Sequence, residues 1–93
     1  MEKLKIKATK RMKQDINRVR KQGKDMSKLE RVLDTLAVER TLPPEYNDHK
    51  LRGNMAGFRE CHIEPNWLLV YKIMEDKLIL SATATGSHSD VLD

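Results

Sequence analysis

The chain contains three histidines, His49, His62 and His88, and imidazole is the side chain best suited to give and take protons near neutral pH. They fall in different kinds of segment: a polar loop, an alternating strand pattern, and the residues just after the last strand. Neighbouring strands of a meander bring such positions to one edge, so the three can converge on a single site; the alternative is three unrelated surface or half-buried histidines. In the strand, alternation puts Phe58, Glu60, His62 and, at its end, Glu64 on one face, and Arg59, Cys61 and Ile63 on the other. A carboxylate beside an imidazole favours the imidazolium, which suits a proton donor. Lys50 and Arg52 flank His49, and Arg59 lies in the next strand, so fixed positive charge is at hand without a metal. The other reading of these charges is that they solubilise an exposed edge and keep it from pairing with other chains.

Zinc is poorly supported, because no His-x-His or His-Glu-x-x-His spacing occurs. Neither glycine-rich phosphate-binding fingerprint is present, so no nucleotide cofactor is expected. Cys61 precedes His62 in a strand, where adjacent side chains point to opposite faces, so the two cannot pair as thiol and base. Cys61 is expected in the core, and a single cysteine favours a reducing, cytoplasmic setting.

The elements that must position these residues follow from length and pattern. With 93 residues, 39% apolar and 34% charged, the chain suits one domain over 1–93 with one modest core. Its longest apolar run, 67–71, is far short of the ~20 residues that span a bilayer, and no apolar signal core follows the first residues. Residues 1–40 carry 13 Lys or Arg against 6 Asp or Glu, and residues 41–93 carry 5 against 8. A basic first half points to a polyanion such as nucleic acid or to an acidic protein partner, or is simply a solvated helix surface.

Leu4, Ile6 and Ala8 alternate with lysines, predicting a strand over about 3–7. From Thr9, an N-cap residue, Met12, Ile16 and Val19 fall on one helical stripe that ends at Gly23. Asp25 or Ser27 can cap a second helix, with Glu30 completing a capping box after Ser27. This helix carries Met26, Leu29, Val32, Leu33, Leu36 and Ala37 at helical spacing. Pro43-Pro44 ends the helical region, and 45–57 reads as polar and irregular. Period two returns in 58–63, 67–74 and 77–84, separated by Glu64-Pro65-Asn66 and Glu75-Asp76 turns, with 85–90 left as a polar tail. The expected class is α+β, a β-α-α-β-β-β chain with a two-helix hairpin on one face of a mainly antiparallel sheet.

Three blocks, Tyr46-Asn47-Asp48-His49-Lys50-Leu51-Arg52-Gly53, Gly57-Phe58-Arg59-Glu60-Cys61-His62-Ile63-Glu64-Pro65-Asn66-Trp67, and Thr85-Gly86-Ser87-His88, resemble the bacterial type II toxins of the RelE/ParE superfamily, in its YafQ-type branch. Lys24-Asp25-Met26 fits as well, and the similarity covers nearly the whole chain. It implies a RelE-like fold and a ribosome-dependent endoribonuclease, an mRNA interferase that cuts A-site codons without a metal or other cofactor and is silenced by a cognate antitoxin. It implies that His49, His62 and His88 form the catalytic group, with His88 the general acid. Arg52, Arg59, Glu60 and Asn66 would support them or bind phosphate, and Lys5, Lys7, Lys10, Lys13 and Lys21 would grip ribosomal RNA. Asn66 stands where the family has an acidic residue, and an amide cannot act as a base. Leu92 stands where a bulky aromatic is frequent. The competing class on this scaffold is a ParE-like DNA gyrase poison or a non-catalytic antitoxin- or RNA-binding module, neither of which needs three histidines at one sheet edge.

Overall fold

A computed structural model describes the backbone of residues 2–92 and the side chains of residues 2–91. Strand β1 (Lys5–Ala8) leads into helix α1 (Lys10–Lys21) and helix α2 (Met26–Glu39). Strands β2 (His49–Lys50), β3 (Arg59–Glu64), β4 (Trp67–Met74) and β5 (Ile79–Gly86) follow, and the short helix α3 (His88–Leu92) closes the fold. The sheet order is β1-β5-β4-β3-β2. The pairings β2–β3, β3–β4 and β4–β5 are antiparallel, and β1 joins β5 in parallel.

The helix boundaries follow from local chemistry. Thr9 caps α1 by accepting the Met12 N–H at 3.0 Å, and its hydroxyl donates to the Thr83 carbonyl at 2.8 Å. The helix ends in a Schellman turn: Gly23 N–H bonds the Arg20 carbonyl and Lys24 N–H the Val19 carbonyl, with Gly23 at φ +82°, a conformation that favours glycine. Asp25, not Ser27, caps α2, accepting the Ser27 N–H at 3.0 Å and the Ser27 hydroxyl at 2.6 Å. The expected Ser27–Glu30 box is therefore replaced by a cap that starts the helix earlier.

The two faces of the sheet differ. Toward the helices, Met12, Val19, Leu29, Val32 and Leu36 pack on Cys61, Trp67, Leu69, Tyr71, Leu80 and Ala82 in the main core. On the other face Leu68, Val70 and Ala84 meet Val91 of α3, with Leu51, Met55 and Phe58 at the margin. Arg18 and Asp15 tie α1 to the end of β5, where Asp15 accepts the Thr85 N–H at 3.1 Å.

Several expectations need correction. The first strand is 5–8 rather than about 3–7, β3 runs one residue later than 58–63, and the last strand is 79–86 rather than 77–84, after a 3₁₀ turn at Glu75–Lys77. The segment 45–57 is not wholly irregular: it holds β2, whose two residues pair with β3 and make a fifth strand, too short to leave an alternating pattern. The expected polar tail, 85–90, divides between the end of β5 (Thr85 and Gly86) and α3, which begins at His88. The start of α3 is a reciprocal cap, with Ser87 N–H donating to Asp90 Oδ2 at 3.0 Å and Asp90 N–H to Ser87 Oγ at 3.3 Å, a Ser-x-x-Asp pattern that a search for helix starts could have found.

Candidate active site

His49, His62 and His88 stand together on the sheet face that turns away from α1 and α2. His49 is in β2, and its register partner is Glu60 of β3, which places the two side chains on one face. His62 lies two residues further along β3, hence on that face too. His88 is the first residue of α3, and that helix packs on the ends of β4 and β5. The ring centroids of His49 and His62 are 6.4 Å apart, and those of His62 and His88 are 5.9 Å apart. His62 is central and half-buried, between two exposed histidines.

Glu60 is the buried member of the group, at 2% exposure. Its Oε1 lies 3.3 Å from His49 Nε2, and its Oε2 has no partner among the described residues. The other nitrogen of His49, Nδ1, is 2.7 Å from the Asn47 carbonyl. A carbonyl only accepts, so Nδ1 carries a hydrogen. Nε2 then meets Glu60 either as a second donor to the carboxylate or as the acceptor from a carboxyl. In both cases a transferable proton lies between His49 and Glu60, and Asn47 fixes the ring.

Other expected members lie elsewhere. Arg59 is on the opposite face, where its Nε donates to Asp48 Oδ1 at 2.6 Å and the Tyr71 hydroxyl donates to the other oxygen of Asp48. Burial pushes the Tyr71 hydroxyl up and the Asp48 carboxylate adds to it, so this tyrosine stays protonated. Glu64 does not share the face of His62, because a register shift between His62 and Glu64 turns it toward α2, and it pairs with Lys28 at 2.8 Å. Arg52 is exposed at the start of the 53–55 turn and makes no ion pair among the described residues. Asn66 is exposed in the β3–β4 turn and borders a 210 Å³ hollow shared with Gly86, Ser87 and Asp90. The structure thus gathers three histidines and Glu60, leaves Asn66 near the base of α3, and directs Arg59 away.

Cys61 is fully buried in the main core, and burial pushes its thiol far up, so it is no nucleophile. Lys5 and Lys7 project from the face that bears the histidines, because Ile6 and Ala8 pack into the main core, but they stand at the far edge of the sheet. Lys10, Lys13 and Lys21 lie on α1, and all five lysines are exposed. The side chain of Leu92 lies outside the described residues. Among the described residues no group of three His, Cys, Asp or Glu is placed to hold a metal ion, and no helix is long and apolar enough to cross a membrane. Residue-by-residue reading missed Asp15, Arg18 and Asp90, which support the segment bearing His88. Their signal, an Asp and an Arg three residues apart on α1, looks like an ordinary helix-surface pair.

The chain is similar to known proteins over nearly its whole length. A family described as "Bacterial toxin of type II toxin-antitoxin system, YafQ" matches residues 4–93. The mRNA interferase toxin YafQ of Escherichia coli (strain K12) is 44% identical over 77 residues, covering 81% of this chain and 80% of that protein. The crystal structure of the E. coli DinJ-YafQ toxin-antitoxin complex superposes with a TM-score of 0.86 at 34% identity, over 98% of this chain and 99% of that one. A metal-bound toxin from Helicobacter pylori does so at 0.89 and 39%, over 96% and 99%. The chain belongs to the YafQ family, enzyme toxins of bacterial type II toxin-antitoxin systems whose E. coli members are mRNA interferases.

Proposed function

We propose that this chain is a ribosome-dependent mRNA interferase that cuts mRNA in the A site by metal-free acid–base chemistry, with His49, His62 and His88 as the catalytic group. The observation that carries the reading is the placement of three imidazoles on one face at centroid spacings of 6.4 and 5.9 Å. At that spacing the three rings can each reach a different oxygen of one phosphodiester lying over them, with hydrogen bonds of about 2.6–3.2 Å.

RNA cleavage without a metal needs a base for the 2′-OH, an acid for the leaving 5′-oxygen, and donors for the charge that grows on the phosphoryl oxygens. His88 is the acid, on an exposed helix start open to the leaving group. His62, half-buried between the other two, is the base that takes the 2′-OH proton. His49 has both ring nitrogens engaged, Nδ1 by the Asn47 carbonyl and Nε2 by Glu60, so this pair holds charge beside the phosphoryl oxygens and does not accept that proton. The 2′-OH as nucleophile restricts the reaction to RNA. Arg52 supplies exposed positive charge next to His49, and Asn66 can position the backbone near His88 but moves no proton.

Aromatic residues make up 4% of the chain, and Trp67 is buried, so there is little surface on which to stack bases. That shortage favours a substrate presented by the ribosome, with Lys5, Lys7, Lys10, Lys13 and Lys21 on ribosomal RNA phosphates. A cognate antitoxin, as DinJ is for the E. coli YafQ of the complex, silences it in the cytoplasm.

Cleavage of mRNA on translating ribosomes, with the product ends analysed, tests the reading. Expected are a 5′-hydroxyl and a 2′,3′-cyclic phosphate or its hydrolysis product, formed equally well in EDTA under conditions that keep ribosomes intact. Products bearing 5′-phosphate, or loss of cleavage in EDTA, would overturn the 2′-OH mechanism. Poisoning of gyrase without RNA cleavage would establish the competing class.

A further inference from the structure

The segment that carries His88 is gripped from α1 by side chains with no part in the proton transfers. Arg18 donates through Nη1 to Asp15 Oδ1 at 2.8 Å and through Nη2 to the Thr85 carbonyl at 2.6 Å. Asp15, at 5% exposure, accepts the Thr85 N–H at 3.1 Å with its other oxygen. Both main-chain polar groups of Thr85 are therefore held by one ion pair. Arg18 Nη2 also lies 3.7 Å from Asp90 Oδ2, the oxygen that caps α3 at Ser87, and Arg11 donates to the Asp90 carbonyl at 2.5 Å.

Gly86 shows how closely the guanidinium approaches. It sits at φ +146°, and a Cβ there would lie 2.5 Å from Arg18 Nη2 and 2.8 Å from Asp90 Cβ. The glycine of the Thr-Gly-Ser-His block is thus needed to admit Arg18 beneath the turn. A five-residue helix has no stability of its own, so the place of α3 is set by these bonds and by Val91 in the second core cluster. His88 is the first residue of that helix.

We propose that Arg18 is a positioning residue for the cleavage step: by joining Asp15, the Thr85 carbonyl and Asp90, it holds the first turn of α3 so that His88 lies beside His62 at the reacting phosphate. The proposal rests on the catalytic reading of His88. Misplacing a reacting group by about 1 Å can cost on the order of 10²-fold in rate, so loosening this turn should slow the bound-state reaction without altering how the toxin docks.

The test is single-turnover cleavage of mRNA on programmed ribosomes by Arg18→Gln, His88→Ala and the double variant, with ribosome affinity measured for each. Expected for Arg18→Gln are cleavage about 10- to 100-fold slower, unchanged ribosome affinity, and no further loss when it is added to His88→Ala, because residues acting through one group are not additive. Losses that multiply in the double variant would mean that Arg18 acts independently of His88. A loss of affinity in place of rate would make it an RNA-binding side chain. Parental cleavage by Arg18→Gln beside a slow His88→Ala would leave no role for the clasp. Each of these overturns the proposal, whereas parental cleavage by His88→Ala would remove the His88 reading itself. Should Arg18→Gln fail to fold, Asp90→Asn leaves the Asp15–Arg18 pair in place, and the same cycle expects a several-fold loss that vanishes on top of His88→Ala.

Discussion

The two faces of the sheet are built from alternate residues of the same strands and solve opposite problems. Toward the helices, Trp67, Leu69 and Tyr71 are fully buried, and the side-chain polar atoms of Trp67 and Thr85 are partnered: Trp67 Nε1 donates to Thr85 Oγ1 at 2.9 Å, and that hydroxyl donates to the Leu68 carbonyl at 2.6 Å. On the other face the apolar cluster is small, and beside it Glu60 is buried with one oxygen unpartnered among the described residues. A buried polar group left unsatisfied costs about 1–3 kcal/mol. The comparison separates roles: one face holds the strands in place, and the other spends part of that stability on a carboxylate and three rings.

The largest expected effect breaks the first face. Trp67→Ala should lose about 3–5 kcal/mol of stability, the usual range for truncating a buried large aromatic, read from the denaturant midpoint, and should abolish activity through unfolding. Glu60→Gln acts on the second face. It keeps the volume and removes the charge, so the fold should hold its midpoint or gain slightly, while cleavage of bound mRNA falls about 10²-fold. Equal stability losses for the two variants would erase the distinction between the faces.

Smaller effects sharpen it. Replacing Lys5, Lys7, Lys10, Lys13 and Lys21 by Gln should weaken ribosome binding and flatten its dependence on salt, since every phosphate that is no longer neutralised keeps its counterions and so drops out of the slope. Cleavage of already bound substrate should change far less. Unchanged affinity at every salt concentration would mean that these lysines only solvate their surface.

The smallest effect concerns Glu64, which the register shift turns away from the histidines. The hydrogen bond from Lys28 holds its carboxyl below the ordinary 4.5. A lowered folded-state value means stabilisation that is present above 4.5 and is lost as pH falls through the folded value. Unfolding midpoints of the parent and Glu64→Gln should therefore differ slightly at neutral pH, as expected of an exposed pair, and converge in acid. Cleavage should not change, and a cleavage defect would return Glu64 to the histidine face.

Much of this is legible in the residues. Helical spacing of Met12, Ile16 and Val19 marks the buried stripe of α1, and alternation through Glu60 and His62 puts both on the face that holds the site. What escapes is carried by non-local or very local interactions. The two-residue β2 has no pattern to detect and exists because Glu60 and Arg59 offer it partners. The bulge that redirects Glu64 leaves no periodic signal either. Alternation already puts Arg59 on the face opposite Glu60 and His62, but nothing in the pattern shows that Asp48 holds it there beside Tyr71. The Asp15–Arg18–Asp90 network joins residues more than sixty positions apart, and only the folded chain brings them together.

The central claim is that the three histidines act as one catalytic group, and His88→Ala tests it most directly. The position is exposed, so its removal should leave the melting temperature and ribosome affinity unchanged. Single-turnover cleavage of ribosome-bound mRNA should fall by about 10²- to 10⁴-fold, the range for losing a general acid. Cleavage at the parental rate by a folded, ribosome-bound His88→Ala protein would contradict that claim.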